Sequence, residues 1–181
     1  MPPYNASDPT ATFLSASALD FLLIEMVPLA QRVAASTLRP STTTADEDED
    51  VVVDAVHLRL ELLGYRVGVG LVERPRFNDA LDIIKFLCKD LWSLLFGKNI
   101  DNLKTNHRGV YVLTDNMFRP FSRMSTEAGG QAVARAQPFL WFPCGIVRGA
   151  LAALGMETIV QAEINDLPGA VFQIKTIPAK A

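Results

Sequence analysis

Two glycines four residues apart, Gly64 and Gly68, lie inside an apolar helical stripe, and they limit the packing of this chain more than any other feature. The stretch is Val56 to Arg74, VHLRLELLGYRVGVGLVER. Val56, Leu60, Leu63, Val67 and Leu71 recur at helical spacing and form one apolar face. Four residues make about one helical turn, so both glycines share a face, with Gly70 just beyond. Glycine inside a helix costs about 1 kcal/mol relative to alanine. Close approach of another helix, which the missing Cβ atoms permit, offsets such a cost. Arg59, Glu61, Arg66, Glu73 and Arg74 keep the rest of the surface wet. The residues leave two readings open: the glycine face meets a partner subunit, or it meets another helix of the same chain.

The elements before this helix follow from pattern and capping. Residues 1–14 are Pro-, Ser- and Thr-rich and are expected to be flexible. A first helix is expected from Ser17, where Ser17-Ala18-Leu19-Asp20 matches a capping box. Leu19, Leu22, Leu23, Met26, Ala30 and Val33 line its face, and Pro28 is expected to kink or break it. Residues 39–50, RPSTTTADEDED, read as an acidic linker. Asp46 to Asp50 repel one another, although they also suit the start of the next helix through its dipole.

Beyond Pro75 a third helix is expected from Asn78-Asp79 to Gly97, with a wide stripe of Leu81, Ile84, Cys88, Leu91 and Leu95. The period then changes. Asn102–Asn106 and Gly109–Thr114 read as a hairpin across Asn106-His107-Arg108-Gly109. Residues 115–138 read as an irregular loop whose early part is pinned by Phe118, Phe121 and Met124. A fourth helix spans Phe139–Met156, with Pro143 near its start, Gly155 past its end, and Gly145 and Gly149 at the same small-residue spacing. Glu157–Ile164 and Ala170–Ile177 form a second hairpin about Asn165–Gly169, and Pro178 ends it. Helices segregated from antiparallel hairpins make an α+β layer architecture in one domain, residues 15–178.

The search for chemistry is negative. A net charge of -3 gives no bulk attraction to nucleic acid. The start of the chain has neither the basic nor the apolar region of a signal peptide, and no apolar run reaches membrane-spanning length. A reducing, cytoplasmic setting suits the two cysteines, Cys88 and Cys144, each inside an apolar run. Two histidines, His57 and His107, have no Cys or His at metal spacing, so no metal or cofactor is expected. Gly68-Val69-Gly70 lacks the rest of a dinucleotide fingerprint, and Gly97-Lys98-Asn99 lacks the rest of a P-loop. Cys144 lies near a helix start, but its greasy surroundings make it a structural thiol. These residues point to a binding or scaffold protein rather than an enzyme.

Three stretches carry a family resemblance: LELLGYRVGVGLVER (Leu60–Arg74), DIIKFLCKDLWSLLFGKNIDNLKTNHRGVYVLTDNMFRPFSRMS (Asp82–Ser125) and CGIVRGALAALGM (Cys144–Met156). Together they resemble the small subunits of the transport protein particle, TRAPP, and the middle stretch is most similar to the subunit-6 branch. The resemblance implies four helices on one side of a twisted four-stranded antiparallel sheet, with dimerisation through the first two helices. It implies pairing with a subunit-3-type partner, or with itself in isolation, and contact with other TRAPP subunits. It implies a non-catalytic scaffold in a complex that tethers vesicles and promotes nucleotide exchange on Rab GTPases. It implies a complex peripheral on Golgi and endoplasmic reticulum membranes, with no direct membrane insertion by this chain.

With the resemblance added, the seam is expected at or beside Leu60, Gly64, Val67, Gly68 and Leu71, with Leu22, Leu23 and Met26 from the first helix. The subunit-3 type carries an acylated cysteine between its second and third helices. Here that segment reads Arg74-Pro75-Arg76-Phe77-Asn78-Asp79, so no acylation is expected. A reading of a different class is a small-molecule or lipid carrier with an apolar pocket between the third and fourth helices, lined by Cys88, Trp92, Trp141 and Phe142.

Overall fold

A computed structural model describes residues 9–10, 15–37, 45–72, 77, 79–106, 108–124 and 131–177. Among the described residues, four helical runs and one sheet make up the α+β fold. The first run, α1, is Ala16–Thr37, and the second, α2, is Ala45–Leu71. The third, α3, passes through Ala80–Phe86, a π turn at Leu87–Leu91 and Trp92–Phe96. The strands are β1 (Asn102–Thr105), β2 (Val110–Asp115), β3 (Thr158–Glu163) and β4 (Ala170–Thr176). Between the hairpins runs α4, made of Ala132–Ala136, a 3-10 turn at Gln137–Leu140 and Trp141–Ala153. The sheet is antiparallel in the order β1-β2-β4-β3.

One face of the sheet is dry. Tyr111, Leu113, Val160, Phe172 and Ile174 are buried on it, while the alternating residues Ile159, Gln161, Gln173 and Lys175 are exposed, as the two-residue period of a strand requires. The helices cover the dry face. Trp92, Phe96, Phe118, Phe121 and Phe172 form an aromatic cluster with neighbouring ring centroids 4.7–6.2 Å apart. Such pairs add about 0.5–1.5 kcal/mol each beyond their area. Buried at the edge of this cluster, Asp115 accepts hydrogen bonds from Trp92 Nε1 (2.8 Å), Lys98 Nζ (2.7 Å) and the Met117 amide (3.0 Å). Three donors satisfy a carboxylate that would otherwise be costly to bury.

Local chemistry explains where α3 stops. Gly97 takes φ +76°, a left-handed cap that glycine adopts without strain. The chain then folds back, and the Ile100 amide donates to the Cys88 carbonyl at 3.0 Å, a group inside the π turn. In the first hairpin, Gly109 has φ +79° and the Asn106 side chain accepts from the amides of Arg108 and Val110.

Four expectations are corrected. The first helix begins at Ala16, beside the expected start near Ser17, but Ser17 lies inside its first turn and the Asp20 carboxylate bonds Arg119 and Arg123 in place of a capping box. Pro28 does not break α1, whose turns continue to Thr37, because packing of Val27, Ala30 and Ala34 against α2 outweighs the lost hydrogen bond. The acidic end of the 39–50 stretch is not linker, since α2 already includes Ala45–Asp50. Acidic residues at a helix N-terminus meet the positive end of its dipole. The span 115–138 is less irregular than expected: it holds a 3-10 turn at Arg119–Phe121 and the start of α4. His107, Arg74–Arg76 and Asn78 lie outside the described residues.

Candidate functional site

The glycines of α2 meet glycines of α4. A Cβ built on Gly64 would lie 2.1 Å from the Phe142 carbonyl oxygen, and one on Gly68 would lie 2.1 Å from that of Ile146. The relation is mutual. A Cβ on Gly145 would lie 2.1 Å from the Glu61 oxygen, and one on Gly149 would lie 2.1 Å from that of Tyr65. Four glycines therefore interleave so that two helix backbones touch, and no side chain fits between them. Charged groups border the crossing. Arg148 Nε lies 3.2 Å from Glu61 Oε1 as an ion pair, and its guanidinium stands 5.1 Å over the Tyr65 ring. His57 packs on Trp141 with ring centroids 4.9 Å apart.

This crossing places part of the expected seam against another helix of the same chain. Leu60, Gly64 and Gly68 are buried inside the chain, with Leu60 only 2% exposed. The physical reason is that α4 repeats the spacing of α2 and fills its groove. Val67 and Leu71 are half-buried, and Leu71 packs on the main core. From α1, Leu23 and Met26 are half-buried and Leu22 is 57% exposed.

A different face of these helices is open. On α2, Val51, Leu58, Leu62 and Val69 are exposed at spacings of seven, four and seven, which aligns them on one stripe. The stripe is rotated away from the buried side holding Leu60 and Gly64. On α1, Leu22, Leu29 and Val33 repeat the spacing of seven and four and are also exposed. Asp20 holds the start of α1 in place, bonded by Arg119 Nε at 3.0 Å and Arg123 Nε at 3.0 Å. These guanidiniums hold its carboxyl below the ordinary value. Two apolar stripes on packed neighbouring helices exceed the scattered surface leucines of an ordinary monomer. Sequence reasoning missed Leu29, Val51, Leu58, Leu62 and Val69. The signal was present as a second periodic set on each helix, interleaved with Arg59, Glu61 and Arg66.

The residues named for a carrier pocket divide. Cys88 and Trp92 are buried in the main core, among the aromatic rings. Trp141 is half-buried and borders two open clefts of about 500 Å³ and about 490 Å³. Both thiols are buried, and burial pushes Cys88 up to about 11 and Cys144 up to about 12. Among the described residues, no group of His, Cys, Asp and Glu is placed to hold a metal. No described helix is long and apolar enough to cross a membrane.

The comparisons with known proteins agree with this geometry. A sequence model of the family described as "Transport protein particle (TRAPP) component" matches residues 19–177. The chain is 51% identical over 121 residues to "Trafficking protein particle complex subunit 6b" of Danio rerio, covering 64% of this chain and 76% of that one. It is 50% identical over 121 residues to subunit 6B of Homo sapiens, covering 64% and 75%. An uncharacterised protein of Schizosaccharomyces pombe is 35% identical over 170 residues, covering 91% and 65%. The fold resembles a crystal structure of a trafficking protein particle complex subunit 3 from Naegleria fowleri covalently bound to palmitic acid. That match has a TM-score of 0.63 at 14% identity, over 90% of this chain and 97% of that one.

Proposed function

The chain belongs to the TRAPP component family and is subunit-6-like, and from that premise we propose that it is a non-catalytic scaffold subunit of a TRAPP complex. Its role is to pair, through the open face of α1 and α2, with a subunit-3-type small subunit and so to hold that partner beside the larger subunits. The complex it serves tethers vesicles and promotes nucleotide exchange on Rab GTPases, between endoplasmic reticulum and Golgi. The observation that carries this reading is the pair of exposed apolar stripes, Leu22-Leu29-Val33 and Val51-Leu58-Leu62-Val69. A standard interface buries roughly 1,200–2,000 Å² in total, and two helices of this length are long enough to supply it.

Supporting the non-catalytic part, both nucleophilic thiols are buried with raised pKa values. The same burial supports the absence of acylation on Cys88 or Cys144. The test is recovery of a tagged copy of the chain from cells. Stoichiometric TRAPP subunits should accompany wild type and be lost with Leu22→Asp and Leu62→Asp together. Retention of the full set by that variant overturns the assignment of this face.

A further inference from the structure

We propose that the outer edge of β3 is a strand-addition site for an extended segment of another polypeptide that carries Lys or Arg at two positions six residues apart. Among the described residues β3 pairs with β4 alone. The Ile177 amide donates to the Glu157 carbonyl, which fixes the alternation of the ladder. The backbone groups of residues 159, 161 and 163 therefore face β4, and those of Thr158, Val160 and Ala162 face outward. The Ala162 carbonyl is met by a side chain, Gln137 Nε2 at 3.1 Å.

The two edges of the sheet differ. The other edge, β1, has four residues with Lys104 among them, and short length and lysine both discourage pairing. The six residues of β3, TIVQAE, include neither lysine nor proline. The edge lines a cleft of about 500 Å³, shared by Ile159, Gln161 and Glu163 with His57, Glu61, Trp141 and Cys144. An added strand needs such a space, and Trp141 offers it an apolar contact while Glu61 adds to the acidic charge around it.

Charge selects the occupant. Glu157 and Glu163 are both exposed, and strand alternation puts them on one face at the two ends of the edge. A second copy that pairs all three outward residues, centred on Val160, sets Glu163 opposite Glu157 at both ends. Like charges directly opposed destabilise a pair of strands, and opposite charges stabilise it. A foreign strand with basic residues six apart, and small apolar residues toward Trp141, meets both conditions.

The probes are two synthetic peptides, KVTVTVK and its acidic counterpart EVTVTVE, added to the full chain while amide exchange is followed by NMR. KVTVTVK should slow exchange of the Val160 and Ala162 amides, and EVTVTVE should bind about tenfold more weakly. Combining Glu157→Lys with Glu163→Lys, both on the surface, should reverse that preference. Absence of slowing with either peptide overturns the proposal, as does equal slowing with both. Concentration-dependent slowing without peptide also overturns it, because a second copy then holds the edge. The proposal does not depend on pairing through α1 and α2.

Discussion

Gly68→Ala is the smallest change that tests the backbone contact between α2 and α4. The new methyl would stand 2.1 Å from the Ile146 carbonyl oxygen and 2.8 Å from the Ala150 nitrogen. The first distance is at least about 1.3 Å short of ordinary van der Waals separation. Both atoms are backbone, so no rotamer change relieves the clash, and the helices must separate along their length. Overpacking costs about 1–3 kcal/mol, occasionally more, and a rigid obstacle belongs at the upper end. Alanine returns about 1 kcal/mol of helix propensity, and separation also loosens contacts at Gly64, Gly145 and Gly149. A net loss of at least about 2 kcal/mol lowers the melting temperature by at least about 4–8 °C in a chain of this size. The assay is thermal and urea unfolding by circular dichroism at one fixed protein concentration, because association shifts apparent stability. Gly70→Ala is the control, since nothing lies within 4 Å of that position. It should be neutral or stabilise by up to about 1 kcal/mol. If Gly68→Ala melts with wild type, or if both variants lose equally, the interleaved crossing is refuted.

Two further outcomes follow from the side chains. Cys88 and Cys144, pushed up to about 11 and about 12 by burial, should resist iodoacetamide at about pH 8 in the folded chain and react fully in denaturant, read by mass spectrometry. Rapid alkylation of the native chain would contradict their burial. Asp101 accepts from Lys98 Nζ and the Asn116 amide, both at 2.7 Å, which hold its carboxyl below the ordinary 3.8. A carboxyl depressed in the folded state adds stability above its unfolded pKa and loses it as pH falls through the folded value. Asp101→Asn should therefore be less stable at neutral pH and show a shallower decline below about pH 4 in urea midpoints. An unchanged acid slope refutes that role.

Much of the fold was legible because period and punctuation agreed. Gly97 and Gly109 stand where the chain needs positive φ, and Val110–Asp115 and Ala170–Thr176 alternate as half-buried strands must. The start of α2 was harder, because an acidic run reads as linker until a dipole and a packed helix are present to oppose its repulsion. Pro28 left a break open that α1 does not make, since Val27, Ala30 and Ala34 pack on α2 around it. The candidate face was legible only in part. Gly64 and Gly68 announced a close crossing, and Gly145 and Gly149 matched their spacing, but spacing alone does not say which helix pairs with which. Once α4 fills that groove, the remaining apolar set on α2, led by Leu58 and Leu62, becomes the exposed one.

Light scattering after size exclusion, on the chain alone and mixed with a subunit-3-type small subunit, tests the central claim most directly. The account predicts a one-to-one heterodimer for wild type. It predicts a folded chain that fails to pair when Leu22→Asp and Leu62→Asp are combined, while Gly70→Ala pairs normally. A wild-type chain that stays monomeric with that partner, or a Leu22→Asp and Leu62→Asp chain that still forms the heterodimer, would contradict it.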